Sequence, residues 1–538
     1  MIAFQATDEA RSGILTNLAA GLFTLPFLIF SPLAGQIADK WEKATVIKII
    51  KAFEILIMGL AAIGFSYKSE YFLLFVLFLM GTQSTFFGPL KYSILPQHLR
   101  EDQLMTGTSL IEMGTFVSIL IGTILGGILI NMGGTGIVSS AVIFFAILGF
   151  GFARKIPPAP ASDPELKING NFKTELLSLF SIAKENRTVY LSIMGISWFW
   201  FMGAVLLSQM PTYVKHVIHG NEYVVTFFLA IFTLSVAIGS MISDKLSDRN
   251  IELGIVPLGA IGLSIFLFDL GYIDYKGLTE QLTTLEQFVY TQTSLRNYRI
   301  ILDLSMIGLF GSFFIVPLYA LMQARSRDEN RSRVIAACNI YNAIFMVASS
   351  LFAIVLYKLG MLTEHIFIVI ALINIGISVY IFGLLPEFIM RFALWIMAKT
   401  IYRLRYSGRM NIPKRGPVLL VANHISYIDW FIITAACQRP VRFVMDHNIF
   451  KIPILSRLFH LGDCIPIASA KEDPVCKEEA FKSISSALKA GDVVCIFPEG
   501  TISYDGNLSL FRKGFESVLA KDPVPLIPIS LHGLWGSF

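Results

Sequence analysis

The sequence predicts a polytopic α-helical membrane protein followed by a smaller α/β domain, and three observations carry that prediction. Hydrophobic residues make up 54% of the 538 and charged residues 15%, with a mean hydropathy of +0.66; ordinary soluble domains carry about a quarter charged residues. Apolar runs long enough to cross a bilayer, roughly 20 residues each, recur up to residue 385. From residue 411 the pattern changes to short β-like runs alternating with helical stretches, the pattern of an α/β domain.

Eleven spans are expected, near 14–35, 46–65, 71–90, 106–131, 135–153, 189–213, 223–243, 254–273, 299–322, 336–357 and 366–385. The stretch after the fifth carries IPPAPASDP and reads as a break between two bundles. The expected layout is therefore a bundle over 1–158, a central loop over 159–188 and a second bundle over 189–386. Loops on one side hold Lys40, Lys43, Lys91, Arg100, Arg154, Lys155, Lys167, Lys173, Lys184, Arg187, Lys245, Arg249, Arg325, Arg327, Arg331 and Arg333. The opposite loops hold few cations, so the rich side is expected to be cytoplasmic, and everything after residue 386 with it. The opening MIAFQATDEARSG is polar and has no apolar core, so no cleavable signal peptide is expected there.

The net charge of +5 is modest and lies in short loops and the last third. No basic stripe is interleaved with exposed aromatics, which argues against nucleic-acid binding. The five cysteines form no C-x-x-C pair and have no histidine at zinc spacing, so they read as reduced thiols and no metal site is expected.

Two loops echo each other. SPLAGQIADKWEK follows the first span and AIGSMISDKLSDR follows the seventh, each setting Gly or Ser and then Asp-Lys at a membrane exit. These resemble the loop signature between the second and third helices of each half of the major facilitator superfamily. The resemblance assigns Gly35, Asp39, Lys40 and Lys43 to one copy and Asp244, Lys245 and Arg249 to the other. Trp41-Glu42 departs from the family pattern. On this resemblance the first span is the family's second helix, and a further helix is expected ahead of it.

Ionisable groups inside spans are costly and are functional candidates. Glu54 and Glu112 each sit about 12 Å from a helix entrance at 1.5 Å per residue. Lys51 shares a face with Glu54, so a structural ion pair competes with a head-group or proton site. Asp269 and Asp303 lie near outer helix ends and are expected to be interfacial. FIMRFALWIMAKTIYRLRY (388–406) mixes Arg391, Lys399, Arg403 and Arg405 with Phe, Leu and Trp395. An amphipathic helix over 387–410, lying in the membrane surface, is expected there.

The domain over 411–538 carries the chemistry. NHISYIDW (423–430) holds a His-x4-Asp pair, His424 and Asp429, and FPEGT (497–501) is a Pro-Glu-Gly turn after the strand-like run DVVCIF. An imidazole oriented by a carboxylate is equipped to take a proton from a hydroxyl. No serine or cysteine sits in a nucleophile elbow, which argues against an acyl-enzyme.

The order NHISYIDW, VRFVMDHNIFKIPILSRLFHLGDCIPI, FPEGTISYDGNLSLFRKG, VPLIPIS resembles the four blocks of the glycerophospholipid acyltransferases. The conjunction in order is specific where a lone His-x4-Asp is not. The resemblance implies His424 and Asp429 as the catalytic pair. It implies Asn423, Ser426, Glu499, Gly500, Thr501, Arg512 and Lys513 as substrate-binding residues. It further implies acyl transfer to a glycerol hydroxyl from an acyl carrier protein or coenzyme A, with no tightly bound cofactor. Ile502 stands where the family often has an arginine after EGT, and IPIASAKED offers only Lys471 where another often stands. Fewer guanidinium forks favour a phosphodiester lysophospholipid over a phosphomonoester.

The whole resembles bacterial fusions of a lysophospholipid transporter with a 2-acylglycerophosphoethanolamine acyltransferase, in which an acyl-carrier-protein synthetase domain commonly follows; this sequence reads LHGLWGSF there. The resemblance implies a bacterial inner-membrane protein whose partners are membrane lipids, lysophospholipid and acyl carrier protein, the lysolipid being flipped inward and then re-acylated. Its transport candidates are Gly35, Asp39, Lys40, Glu54, Glu112 and Asp244. Two other readings fit the same residues. One is a transporter of another solute with an inactive or regulatory acyltransferase domain. The other is a 1-acylglycerol-3-phosphate acyltransferase anchored by its helices.

Overall fold

The computed structural model describes residues 9–247, 254–273, 284–291, 295–384, 404–408, 411–413, 416–437, 439, 441–452, 456, 459 and 462–536. The chain divides into two compact units, Met1–Ile381 and Phe382–Phe538. The expected surface helix, with Arg391, Trp395, Lys399 and Arg403, lies outside the described residues, as does Arg249.

The first unit is helical: α1 (Glu9–Lys40), α2 (Lys43–Tyr67), α3 (Glu70–Ser93), α4 (Leu104–Ala153), α5 (Phe172–Glu185), α6 (Arg187–Tyr213), α7 (Glu222–Leu246), α8 (Ile255–Tyr272), α9 (Leu295–Arg325), α10 (Arg331–Lys358) and α11 (Thr363–Leu384). Ten stretches among the described residues are long and apolar enough to cross a membrane, against the eleven expected. The odd one out is α2, whose first three turns hold Lys43, Lys48, Lys51 and Glu54. Two of the ten, Glu101–Gly126 and Gly134–Ala153, share the helical run of α4. Gly134 takes a φ of +67° between them, a conformation only glycine adopts at little cost. Both ends of α4 return to one end of α3: Thr115 accepts a hydrogen bond from Lys91, and Ala153 packs in one cluster with Leu90.

Side-chain caps start several helices, with Glu42, Ser69, Asn186 and Asn221 each accepting backbone N–H groups of the first turn. Small residues let the helices touch backbone to backbone. A Cβ on Gly81 would lie 2.3 Å from the Phe23 carbonyl oxygen, and one on Gly259 2.6 Å from the Phe314 nitrogen.

The central segment is a structured strap rather than an open loop. The Ser162 and Asp163 N–H groups both donate to the Asp39 carbonyl at 2.9 Å, and Ala159 N–H donates to Glu42 at 2.6 Å. Burial would raise the Glu42 carboxyl, but hydrogen bonds from Thr45, Ala159 and Ala44 outweigh it and hold the group down at about 2. Helix α5 then buries Leu179 and Ala183 and sets Phe180 against Tyr341 of α10.

The second unit is a five-stranded, all-parallel sheet in the order β3-β2-β4-β1-β5. Its strands are β1 (Val418–Ala422), β2 (Val441–Asp446), β3 (Ile465–Ile467), β4 (Val493–Ile496) and β5 (Leu526–Ile529), with helices α12 (Asp429–Ala436), α13 (Pro474–Lys489) and α14 (Gly514–Lys521). Strand β1 is buried along its whole length, as a central parallel strand covered on both faces must be. Val418, Leu420 and Ala422 pack with Phe431, Ile432 and Ile433 of α12. Leu419 and Val421 point the other way, onto Ala480, Ile484 and Leu488 of α13 and Val518 of α14. Asp473 caps α13 ahead of Pro474 in its first turn.

Candidate functional site

Strand register assembles the site. Val421 of β1 pairs with Ile496 of β4, so the chain positions three residues beyond each, His424 and Glu499, emerge side by side at the carboxyl ends of neighbouring strands. The His424 N–H donates to Glu499 Oε1 at 2.8 Å, and Ser509 N–H donates to Glu499 Oε2 at 2.9 Å. Glu499 is buried, so its carboxylate is the bolt that joins the two loops.

Asp429, in the first turn of α12, is fully buried. Its Oδ2 accepts three hydrogen bonds: from His424 Nδ1 at 2.8 Å, Ile425 N–H at 2.7 Å and Ser426 N–H at 3.0 Å. Its Oδ1 is buried with no hydrogen-bond partner among the described residues. The bond to Asp429 assigns the imidazole proton to Nδ1 and leaves the Nε2 lone pair as the base. The ring stacks on Phe497, with centroids 4.3 Å apart, and Phe497 in turn stacks on Phe443. One-fifth of the His424 side chain (22%) stays exposed, enough for a hydroxyl to reach Nε2. Burial pushes the Cys464 thiol up to about 11 and the Cys495 thiol up strongly, so neither is a ready nucleophile.

The other residues expected here divide by what they touch. The Asn423 side chain exchanges two hydrogen bonds with the Leu531 backbone, fastening β1 to the segment after β5. Ser426 is buried, and its Oγ accepts the Ile428 N–H at 3.4 Å. Gly500 takes a φ of +67°, and a Cβ there would lie 2.9 Å from Arg512 Cζ and Nε, so the guanidinium lies across the Pro-Glu-Gly turn. Thr501 is exposed beside that turn, and Lys513 is exposed at the start of α14. Ser503, whose N–H donates to the His424 carbonyl at 2.8 Å, and Ser509 were invisible as site residues in the sequence, because both act through the backbone.

In the first unit, Asp39 at the end of α1 accepts N–H from Ser332 at 3.0 Å and from Arg333 at 3.2 Å, with Arg333 Nε also at 3.2 Å. These are the second and third residues of α10, whose own cap residue, Asn330, makes no side-chain capping bond. Asp39 thus caps a distant helix and pairs with its arginine. A Cβ on Gly35 would lie 2.8 Å from Ala336 Cβ, so the same two helices are in close contact. In the second copy, Asp244 at the end of α7 accepts a hydrogen bond from the Thr106 side-chain hydroxyl, near the start of α4, at 2.7 Å. Lys40 is half-buried at the last residue of α1, while Lys43 is buried and donates to Ser162 at 2.7 Å.

Glu54 is in the ion pair with Lys51, 2.7 Å, and also accepts from Gln83. Glu112 is buried and accepts from the Tyr92 hydroxyl; Tyr92 stacks on Tyr319 of α9 at 4.8 Å, and the Lys91 ammonium lies over the Tyr92 ring at 4.5 Å. Asp269 pairs with Arg299 and is partly exposed, as an interfacial group should be. Asp303 corrects the expectation. It is fully buried two turns inside α9, one turn beyond Arg299, whose guanidinium pairs with Asp269.

Known proteins resemble this architecture in both parts. The family model "Major Facilitator Superfamily" matches residues 3–279, more than half of the chain. The chain belongs to the major facilitator superfamily. A second model, "Acyltransferase", matches residues 403–532. The lysophospholipid transporter LplT of Pectobacterium carotovorum is 26% identical over 349 residues, covering 63% of this chain and 77% of that protein. LplT of Escherichia fergusonii is 26% identical over 395 residues, covering 72% and 86%. Among solved structures, the human organic anion transporter MFSD10 aligns with a TM-score of 0.57 at 13% identity, over 70% of this chain and 86% of that one. The major facilitator superfamily transporter FucP in its outward conformation gives 0.53 at 10%, over 71% and 91%. At those identities the likeness is one of fold. This member of the superfamily is a transporter domain related to LplT, followed by an acyltransferase domain.

Proposed function

We propose that the chain acylates a lysophospholipid which its own helical unit flips across the membrane. The observation that carries this reading is the His424–Asp429 pair with a free Nε2 at the open end of the sheet, in a chain whose other unit is related to lysophospholipid transporters. His424 takes the proton of the glycerol hydroxyl as that oxygen attacks the thioester carbon of an acyl carrier protein or coenzyme A conjugate. The thiol leaves, and the proton passes from His424 to it. Asp429 holds the ring and stabilises the imidazolium formed in between. Stacking on Phe497 keeps the ring from turning.

Arg512 across the Gly500 turn supplies one guanidinium for a phosphate, while Ile502 and Lys471 withhold others. One cation suits a phosphodiester such as lysophosphatidylethanolamine. No bound cofactor is required for this chemistry. The bias of loop cations supports a cytoplasmic acyltransferase domain, on the side where acyl thioesters are made, and the likeness to bacterial lysophospholipid transporters supports a bacterial inner membrane.

The test uses the full chain in proteoliposomes with labelled lysolipid and acyl thioester. His424→Ala should abolish acyl transfer and leave lysolipid flipping intact. Parent protein that acylates no lysolipid, or that prefers lysophosphatidate over lysophosphatidylethanolamine by tenfold or more, would overturn the enzyme or the acceptor assignment respectively.

A further inference from the structure

The loop that follows the Pro-Glu-Gly turn presents apolar side chains to solvent in a way the reaction itself does not need. Tyr504 is 99% exposed, Leu510 95%, Leu508 66% and Phe511 45%. Trp535, 60% exposed, lies against the same loop: its indole N–H donates to the Tyr504 carbonyl, and a Cβ on Gly506 would lie 2.9 Å from its ring. A floppy loop could carry such residues by accident. This one is held by its backbone at both ends and across the middle. Ser503 N–H donates to the His424 carbonyl, Ser509 N–H to Glu499 and Arg512 N–H to the Pro498 carbonyl. Ser503 Oγ donates to the Asn507 carbonyl at 2.7 Å, and the exposed Asp505 carboxylate accepts from the Asn507 N–H and side-chain amide. Fixed, outward and apolar is the description of a contact surface.

We propose that Tyr504, Leu508, Leu510 and Phe511, with Trp535, form a lip that sinks into the interface of the lipid bilayer beside the candidate active site. Three observations select the bilayer. The exposed cations Arg512 and Lys513 adjoin the apolar residues, the pairing that binds anionic head groups. Tyrosine and tryptophan with leucine and phenylalanine is the composition of interfacial anchors. The same chain carries ten candidate spans among its described residues, so the domain that bears the lip is covalently joined to a membrane-embedded unit. The opposing charges are Asp505, exposed and hydrogen-bonded to the Asn507 N–H and side-chain amide, and Glu516 on α14, so the two cations Arg512 and Lys513 face two carboxylates and the apolar side chains carry the contact. Because Ser503 and Ser509 bind the His424 and Glu499 loops directly, a seated lip delivers Nε2 to the depth of a lysolipid's free hydroxyl. That consequence rests on the acyltransferase reading; insertion of the lip does not.

The test is a nitroxide on Leu510→Cys in the full chain, with Cys464 and Cys476 changed to Ser, in nanodiscs containing anionic phospholipid. The label should be more accessible to oxygen and at least threefold less accessible to a water-soluble nickel chelate than one on Lys482→Cys, which is exposed on α13. Equal chelate accessibility at the two sites overturns the proposal. So does protection from both reagents, which marks burial against protein. In a second arm, Leu508→Asp/Leu510→Asp should lower acylation of bilayer-held lysolipid at least tenfold and leave acylation of a short-chain, monomeric lysolipid unchanged; equal losses overturn it. If the label inserts but the parent acylates nothing, the enzymatic reading fails and the lip stands.

Discussion

Replacing Asp429 by asparagine separates the charge of the dyad from its geometry. In the structure, Asp429 Oδ2 accepts from His424 Nδ1, Ile425 N–H and Ser426 N–H, while Oδ1 is buried without a partner. An asparagine has one orientation that fits. Its oxygen must take the Oδ2 place, because an amide nitrogen there would face two backbone donors. The His424 proton therefore stays on Nδ1 and Nε2 stays free, so the variant keeps the resting geometry. What it loses is the negative charge that stabilises the imidazolium once the hydroxyl proton has moved. The hydrogen bond is 2.8 Å long. With charge centres about 4 Å apart and an effective dielectric near 20, the lost attraction is about 4 kcal/mol. At 1.36 kcal/mol per decade that is about a thousandfold in kcat, with KM for the acceptor little changed.

The side-chain NH2 would lie at the partnerless Oδ1 position, costing about 1–3 kcal/mol of stability. The assay is therefore steady-state acyl transfer at 25 °C in proteoliposomes, with the melting temperature recorded on the same sample. A kcat within tenfold of the parent would refute the role given to Asp429, as would a rise in KM at unchanged kcat.

Two further perturbations follow from the same geometry. Gly500→Ala must hold φ near +67° at a cost of about 1–2 kcal/mol and push the Arg512 guanidinium off the turn, so KM for a phosphate-bearing acceptor should rise about tenfold; an unchanged KM would detach Arg512 from substrate. Asp39→Ala removes both the cap and the arginine partner of α10, a loss of about 3–5 kcal/mol for a buried ion pair, and should populate an opened arrangement of that end of the bundle. Spin-label distances between positions 40 and 327 should then gain a longer component, and a distribution identical to the parent's would refute the latch.

Composition and span-length runs made the helical unit legible, because a bilayer imposes both on any chain that crosses it. What they could not show was how the charges at the start of one expected span are used. Lys43–Tyr67 is helical throughout, yet its charged first turns are spent on contacts inside the protein, Lys43 with Ser162 and Lys51 with Glu54. The central strap was read as a loop for a related reason. Its prolines break helices, but its backbone N–H groups are taken up by Asp39 and Glu42, residues more than a hundred positions away. Asp303 was misjudged because its distance from a helix end says nothing about which neighbour covers it.

The candidate site was legible at the level of residue type and not of role. His424, Asp429 and Glu499 stood out because catalysis leaves titratable groups in short, ordered blocks. Yet the acid expected to hold substrate spends both oxygens on backbone N–H groups, and the asparagine beside the histidine is spent on Leu531. Such roles depend on strand register: β1 and β4 end level, so a residue three past each strand meets the other, and neither sequence block alone contains that fact. The same logic explains the serines. Toward His424 and Glu499, Ser503 and Ser509 contribute N–H groups that any residue but proline could supply, and the Ser503 hydroxyl bonds only within its own loop, so no pattern of side chains ties them to the site. They nonetheless fix the loop that carries Tyr504, Leu508 and Leu510 beside His424. Residues that look like loop filler thus set where the chemistry faces, and the blocks that look like chemistry are in part the scaffold that holds it there.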